Sequence, residues 1–114
     1  MKVELTRFKV RSGKSHRVDE WMKLLNDNMP AVLITLEDEY MYVEAIFREV
    51  NEKDEFLYWF TVEGEGGIHL EQSQHEIDHR HLEFFRECID PGSEVDMKLE
   101  AVMLPQRIRA AMLK

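Results

Sequence analysis

The chain has 114 residues, of which 44% are hydrophobic and 33% charged, an ordinary globular balance that suits one core and one domain over 1–114. Its formal net charge of -8 repels phosphate backbones and anionic headgroups, so the expected partners include no nucleic acid and no membrane. A single cysteine, Cys88, precludes an internal disulfide; MKVELTRFKV lacks the apolar run of a signal peptide, and no stretch approaches the ~20 apolar residues that span a bilayer, so a cytoplasmic protein is expected.

In chain order, KVELTRFKV (2–10) is rich in β-formers and predicts a strand. Ser12-Gly13-Lys14-Ser15 is a turn, and Ser15 is placed to cap a helix whose inner face carries Val18, Trp21, Met22 and Leu25. Asn26-Asp27-Asn28 weakens that helix, and Pro30 suits the first turn of a second helical piece over 30–38, although AVLIT reads equally as a strand. Strands follow over 40–50 and 56–62, joined by the hairpin loop Asn51-Glu52-Lys53-Asp54. The acidic, glycine-rich stretch 63–67 leads to a helix over 71–89, which Asp90-Pro91-Gly92 stops. Val95 to Leu104 predicts a last strand, and Pro105 starts a short C-terminal helix with Ile108 and Met112 inward.

The order β-α-β-β-α-β is the split ferredoxin-like arrangement, an α+β fold with helices on one face of a four-stranded antiparallel sheet. In the third strand Phe56, Tyr58, Phe60 and Val62 share one face and Leu57 and Trp59 the other; in the second, Tyr40, Tyr42 and Ile46 oppose Met41, Val43 and Phe47. A sheet covered on one side should alternate apolar and polar, and this one does not. The second face needs a cover, and a homodimer supplies it most simply.

The segments VELTRFKVRSGKSHRVDEWMKLLN, MYVEAIFRE, YWFTVEGEGG and HEIDHRHLEFFRECID resemble an uncharacterised family of short bacterial proteins, a domain of unknown function, over nearly the whole chain. That family is similar to the dimeric α+β-barrel group, which includes cofactor-free monooxygenases, haem-degrading enzymes, sugar mutarotases and proteins with no known activity. The resemblance implies the fold and the dimer, and carries over no catalytic residue. Haem-degrading and mutarotase members depend on well-placed histidines; here none of the five histidines lies in an expected strand, which weighs against those activities.

His75-Glu76-Ile77-Asp78-His79 matches the H-E-x-x-H pattern of zinc peptidases literally. On one helix, Ile77, His81, Phe84, Phe85 and Cys88 form the core face, His79 points to solvent and His75 sits on a flank, with no evident third ligand. The expectation is a solvated helix face with Glu76 paired to Arg80, no metal and no cofactor. Glu71, His75, Asp78 and Leu82 lie at the edge between core and solvent. His81 in the core stripe is more often a satisfied structural residue than a catalyst; if a site exists, His81 and His75 with Asp78 are its acid–base candidates. Arg7, Glu44, Arg48 and Glu100 fall within expected strands, where charges are either edge-exposed and paired or line a cavity. In the cavity reading, Arg7, Glu44 and Arg48 bind a small polar-aromatic ligand between the aromatic walls Tyr42 and Trp59. Glu63 and Glu65 argue against phosphate binding at Gly64, Gly66 and Gly67, and Cys88 is a packing residue. Three functions remain open: a homodimeric small-molecule binder, a cofactor-free enzyme of the antibiotic-biosynthesis-monooxygenase type, and a non-catalytic protein-interaction module.

Overall fold

The computed structural model describes residues 1–68 and 70–112, and of Glu71 the backbone only. β1 (Lys2–Lys9), α1 (Ser15–Asp27), α2 (Met29–Asp38), β2 (Met41–Val50), β3 (Glu55–Glu63), α3 (Glu76–Cys88), β4 (Val95–Asp96) and α4 (Gln106–Met112) follow one another, with a single 3₁₀ turn at Leu70–Gln72. The sheet order is β2-β3-β1-β4 with every pairing antiparallel, the ferredoxin-like arrangement. No helix among the described residues is long and apolar enough to cross a membrane.

Helix boundaries follow local hydrogen bonding. Lys14, not Ser15, is the N-cap of α1, and no side chain caps it. Ser15 instead accepts a hydrogen bond from Arg48 Nη2 at 2.7 Å. Asn28 closes α1 by donating from Nδ2 to the Leu24 carbonyl at 2.7 Å, and Pro30 in the first turn of α2 starts the next helix at once. Residues 30–38 are therefore helical. The helix expected over 71–89 begins only at Glu76, because Ser73 Oγ accepts from the His75 amide at 3.1 Å and holds the chain outside helical geometry. Glu76 and Asp78 then place negative charge in the first turn of α3, where the helix dipole favours it.

α1 and α3 pack on one face of the sheet. Val18, Trp21, Leu57 and Cys88 are fully buried, with Val10 and Ile89 closing the core. Trp21 stacks parallel to Phe84 at 6.4 Å and meets Trp59 at 5.6 Å, while Phe85 packs edge-on against Phe8 at 5.1 Å. Such pairs add about 0.5–1.5 kcal/mol beyond their area.

On the opposite face, cross-strand register brings together Leu5, Phe60 and Ala45, and Arg7, Tyr58 and Phe47. Phe47 is 61% exposed, and Arg7 lies over the Phe56 ring at 4.7 Å. The strand expected over 95–104 pairs only at Val95–Asp96, followed by one bond from the Met97 amide to the Leu5 carbonyl. Residues 98–104 run on outside the sheet, with Leu99, Val102 and Met103 exposed, because β-formers favour extended backbone without supplying a pairing partner. Ile108, expected to face inward, is exposed on α4, and Leu113, the last residue of the expected tail helix, lies outside the described residues. The radius of gyration is 15.0 Å, against about 13 Å for a compact chain of this length.

Candidate functional site

A cavity of about 500 Å³ opens between the α1–α2 turn, the α3 face and the end of the sheet formed by β2 and β3. Its size suits a drug-sized ligand. The wall is mostly apolar: Met22 and Leu25 from α1, Val32, Leu33 and Leu36 from α2, Ile46 and Trp59 from the sheet, and Ile77 from α3. Leu33 stands at the solvent side, 52% exposed.

Polar groups reach this wall from four elements. Glu44 comes from β2, Glu63 from the end of β3, Glu39 from the residue capping α2, and Asp78 and His81 from α3. The β-bulge at Met41–Val43 turns Met41 to the same side as Glu44 and Ile46, correcting the simple alternation that grouped Met41 with Val43 and Phe47. Ile68 and Leu70 close the rim. The loop before them lies tight on the end of α2: the Gly64 amide donates to the Tyr40 carbonyl at 2.7 Å and the Ile68 amide to the Asp38 carbonyl at 3.0 Å. Tyr40 has φ 52°, and a Cβ at Gly67 would overlap the Glu39 carbonyl, so only glycine allows this crossing.

Two tryptophans orient the polar groups. Trp59 Nε1 donates to Glu44 Oε2 at 2.6 Å, and Trp21 Nε1 donates to His81 Nδ1 at 2.8 Å. Because an indole only donates, His81 Nδ1 is an acceptor and the neutral ring carries its proton on Nε2. Burial lowers the His81 pKa to about 4 against the opposing pull of Asp78, so the ring is neutral at physiological pH. Burial first, then the charges of Glu44, Asp78, Glu63 and Asp38, push the Glu39 carboxyl up to about 7. Burial also raises Glu44, against the Trp59 hydrogen bond that favours its charged form. Asp78 is 6% exposed, and its Oδ2 finds no hydrogen-bond donor among the described residues.

Of the residues singled out from sequence, Asp78, His81, Glu44 and Trp59 meet at this cavity. Asp78 is buried, not at the solvent edge. His75 lies outside the cavity lining: it is the N-cap of α3, and its Nε2 meets Asp38 Oδ2 at 2.6 Å on the surface. His75 has extended backbone and only its carbonyl joins the helix, accepting from the His79 amide at 3.3 Å, and the two imidazoles go to separate partners. His79 is exposed with Nε2 on the Ser73 carbonyl at 2.8 Å. Among the described residues no three His, Cys, Asp or Glu side chains group closely enough to hold a metal ion. The side chain of Glu71 lies outside the described residues. Tyr42, at the bulge, packs toward Gly64, where an added Cβ would come within 2.6 Å of its hydroxyl, and does not wall the cavity. Arg48 is tied to Asp19 at 2.5 Å and Glu55 at 2.8 Å, and Arg7 sits on the opposite face of the sheet, so neither lines the cavity. Glu100 is exposed beside Lys98 in the arm. Sequence reasoning missed Glu39, whose role depends on a helix ending where the glycine-rich loop crosses, and Glu63, weighed only against phosphate.

A family model described as a family of unknown function (DUF6176) matches residues 1–110. No curated protein matches the chain. Among solved structures, an L-rhamnose mutarotase from Formosa agariphila is similar at 21% identity with a TM-score of 0.54, covering 93% of this chain and 100% of its own. At that identity the likeness shows the fold alone.

Proposed function

The chain belongs to that family of unknown function, and we propose that it is a small-molecule-binding protein whose ligand occupies the cavity between the sheet and the helices. The observation that carries this reading is the buried Asp78, whose Oδ2 has no donor among the described residues, at the wall of a roomy, mainly apolar cavity. Folding that leaves such an oxygen without a donor costs about 1–3 kcal/mol or more, and a ligand donor recovers it. A charge-diverse fragment set followed by ligand-observed NMR tests the reading, with Leu36→Trp as a variant that fills the cavity. Fragments should bind the native chain and lose binding to Leu36→Trp. Absence of binders, or equal binding to both, overturns it.

One observation favours a second reading, acid–base catalysis in the same cavity. A carboxyl that burial pushes up to about 7 is matched to proton transfer at neutral pH, and Glu39 is such a group. His81, neutral with one nitrogen committed to Trp21, would position a substrate hydroxyl. The reaction in the neighbour's name gives a direct test: interconversion of L-rhamnose anomers by NMR exchange. Acceleration that Glu39→Gln removes carries the catalytic reading; none leaves a binding protein.

The same proposal includes a homodimer. Among the described residues the sheet face of Leu5, Val43, Phe47 and Phe60 leaves Leu5, Val43 and Phe47 exposed, and the arm after β4 exposes Leu99, Val102 and Met103 as well. A second copy covers both at once, as obligate homodimers do with large apolar interfaces. Light scattering at micromolar concentration should give twice 13.6 kDa; one chain's mass across a wide concentration range overturns the dimer.

A further inference from the structure

We propose that the ligand is an amphiphilic amine, an ammonium group on an apolar body, with the ammonium on Asp78 Oδ2 in the negative field of Glu44 and Glu39 and the body packed against Met22, Leu25, Leu33 and Trp59. This rests on the cavity being a ligand site and adds the ligand's class.

The sign of the wall is the first argument. Glu39, Glu44, Glu63 and Asp78 come from four separate elements to one cavity, and no lysine or arginine lines it among the described residues. Away from the cavity, Arg48 is paired with Asp19 and Glu55, and Arg17 and Lys14 with Glu87. Burying like charges together without a cation is costly, and a cationic ligand offsets that cost. The second argument is Asp78. Its buried Oδ2 lacks a donor, and an ammonium brings three. The third is the rest of the wall. Its aliphatic side chains and the Trp59 ring would leave most hydroxyls of a polyol without partners, but they suit a hydrocarbon or aromatic body. The Trp59 face adds a cation–π contribution for an ammonium within reach. A bare metal ion fits poorly, since no three metal-ligating side chains group closely among the described residues.

Binding should also move a proton. Around Glu39 stand Glu44 from β2, Glu63 from β3, Asp78 and neutral His81 from α3, and Asp38 on α2, itself joined to His75. An arriving ammonium stabilises the Glu39 carboxylate. The carboxyl, at about 7 in the free chain, then loses its proton to solvent. Affinity therefore rises as pH passes upward through neutrality.

The test uses the full chain and four probes: 2-phenylethylamine, neutral 2-phenylethanol, anionic 3-phenylpropionate and L-rhamnose, by calorimetry and Trp emission. 2-Phenylethylamine should bind about tenfold or more tighter than 2-phenylethanol, and 3-phenylpropionate more weakly than both. At pH 7 the heat of amine binding should depend on buffer ionisation enthalpy as protons are released. Glu44→Gln and Asp78→Asn should each weaken the amine about tenfold and leave 2-phenylethanol unchanged. Should Asp78→Asn fail to fold, Glu44→Gln and the proton release decide. Equal or tighter binding of 2-phenylethanol, L-rhamnose or 3-phenylpropionate overturns the cationic class and keeps the cavity as a site. Amine binding untouched by the variants and without proton release places the ammonium elsewhere and overturns the assignment. No binding by any probe overturns both the class and the cavity reading.

Discussion

Leu57 and Tyr58 are neighbours in β3 and point to opposite sides of one sheet. Leu57 is fully buried beneath α1 and α3, whereas Tyr58 faces the side where its cross-strand neighbour Phe47 is 61% exposed. Both faces carry large apolar side chains, so the difference lies in what covers them. On the helix side the cover belongs to the chain and leaves a space at one end, where the carboxylates gather. On the other side the described residues provide the edge contact of β4 and an arm that leaves the sheet. The first face makes a core and a cavity; the second leaves Leu5, Val43 and Phe47 exposed.

The largest effect should come from charging the second face at its centre. Phe60 lies between Leu5 and Ala45 with no cation opposite it, unlike Tyr58, which faces Arg7. In a dimer, Phe60→Glu buries an unpaired carboxylate twice, and we expect loss of cooperative folding by circular dichroism. A folded chain of 13.6 kDa with an unchanged melting temperature would break the comparison, because this face would then be ordinary surface.

Next is Trp21, fully buried between Trp59, Phe84, Phe85 and His81. Trp21→Ala should cost about 3–5 kcal/mol by denaturant titration. Trp21→Phe keeps part of the packing but removes the donor to His81 Nδ1, an added cost of about 1–3 kcal/mol. A loss below about 1 kcal/mol for Trp21→Ala would show that this face is not the principal core.

The outcome at Trp21 marks what was legible in the sequence. Helical spacing identified Val18 and Trp21 as the inner face of α1, and the element order gave the ferredoxin-like sheet, because periodicity and turn residues act locally. His81 was placed in the core stripe for the same reason. What failed depended on side chains competing for backbone or on distant pairing. Ser73 delayed α3 and took His75 out of the helix, the bulge moved Met41 to the cavity side, and Arg48 found Asp19 and Ser15 on α1 instead of a ligand. The extent of β4 could not be read because a strand's partner is not written in its own residues.

The cavity end of the covered face also predicts a pH signature, smaller than the packing effects. The Glu39 carboxyl, raised from the ordinary 4.5 to about 7, binds its proton more tightly folded than unfolded; its stabilisation is present below about 4.5 and lost as pH rises to about 7. His81, lowered from 6.5 to about 4, behaves oppositely: the neutral buried ring costs stability at acid pH and recovers it as pH rises to 6.5. Glu44 adds to the slope of Glu39. Between about 4.5 and 6.5 the two trends oppose each other, and above 6.5 only the carboxyls act. Glu39→Gln should therefore tilt the profile of unfolding free energy, rising relative to the native chain from about 4.5 to about 7, since the His81 trend is common to both. Parallel profiles for the two proteins would mean that Glu39 is solvated like a surface carboxylate.

The smallest effect should be at Arg48, which sits on the helix side of β2 but away from the cavity. Its guanidinium reaches Asp19 at 2.5 Å and Glu55 at 2.8 Å, and it donates to the Ser15 hydroxyl at 2.7 Å and the Ser15 carbonyl at 2.9 Å, joining the start of α1 to the hairpin. One guanidinium thus carries two ion pairs and two hydrogen bonds to Ser15. Its setting is wet, however: the Arg48 side chain is 27% exposed and that of Asp19 67%, so screening and side-chain entropy consume most of the attraction. Arg48→Ala should cost about 0–1 kcal/mol, less at high salt, and should leave probe binding in the cavity unchanged. A loss of several kcal/mol, or weakened binding of 2-phenylethylamine, would mean that the hairpin end and the cavity end of the covered face act as one unit rather than two.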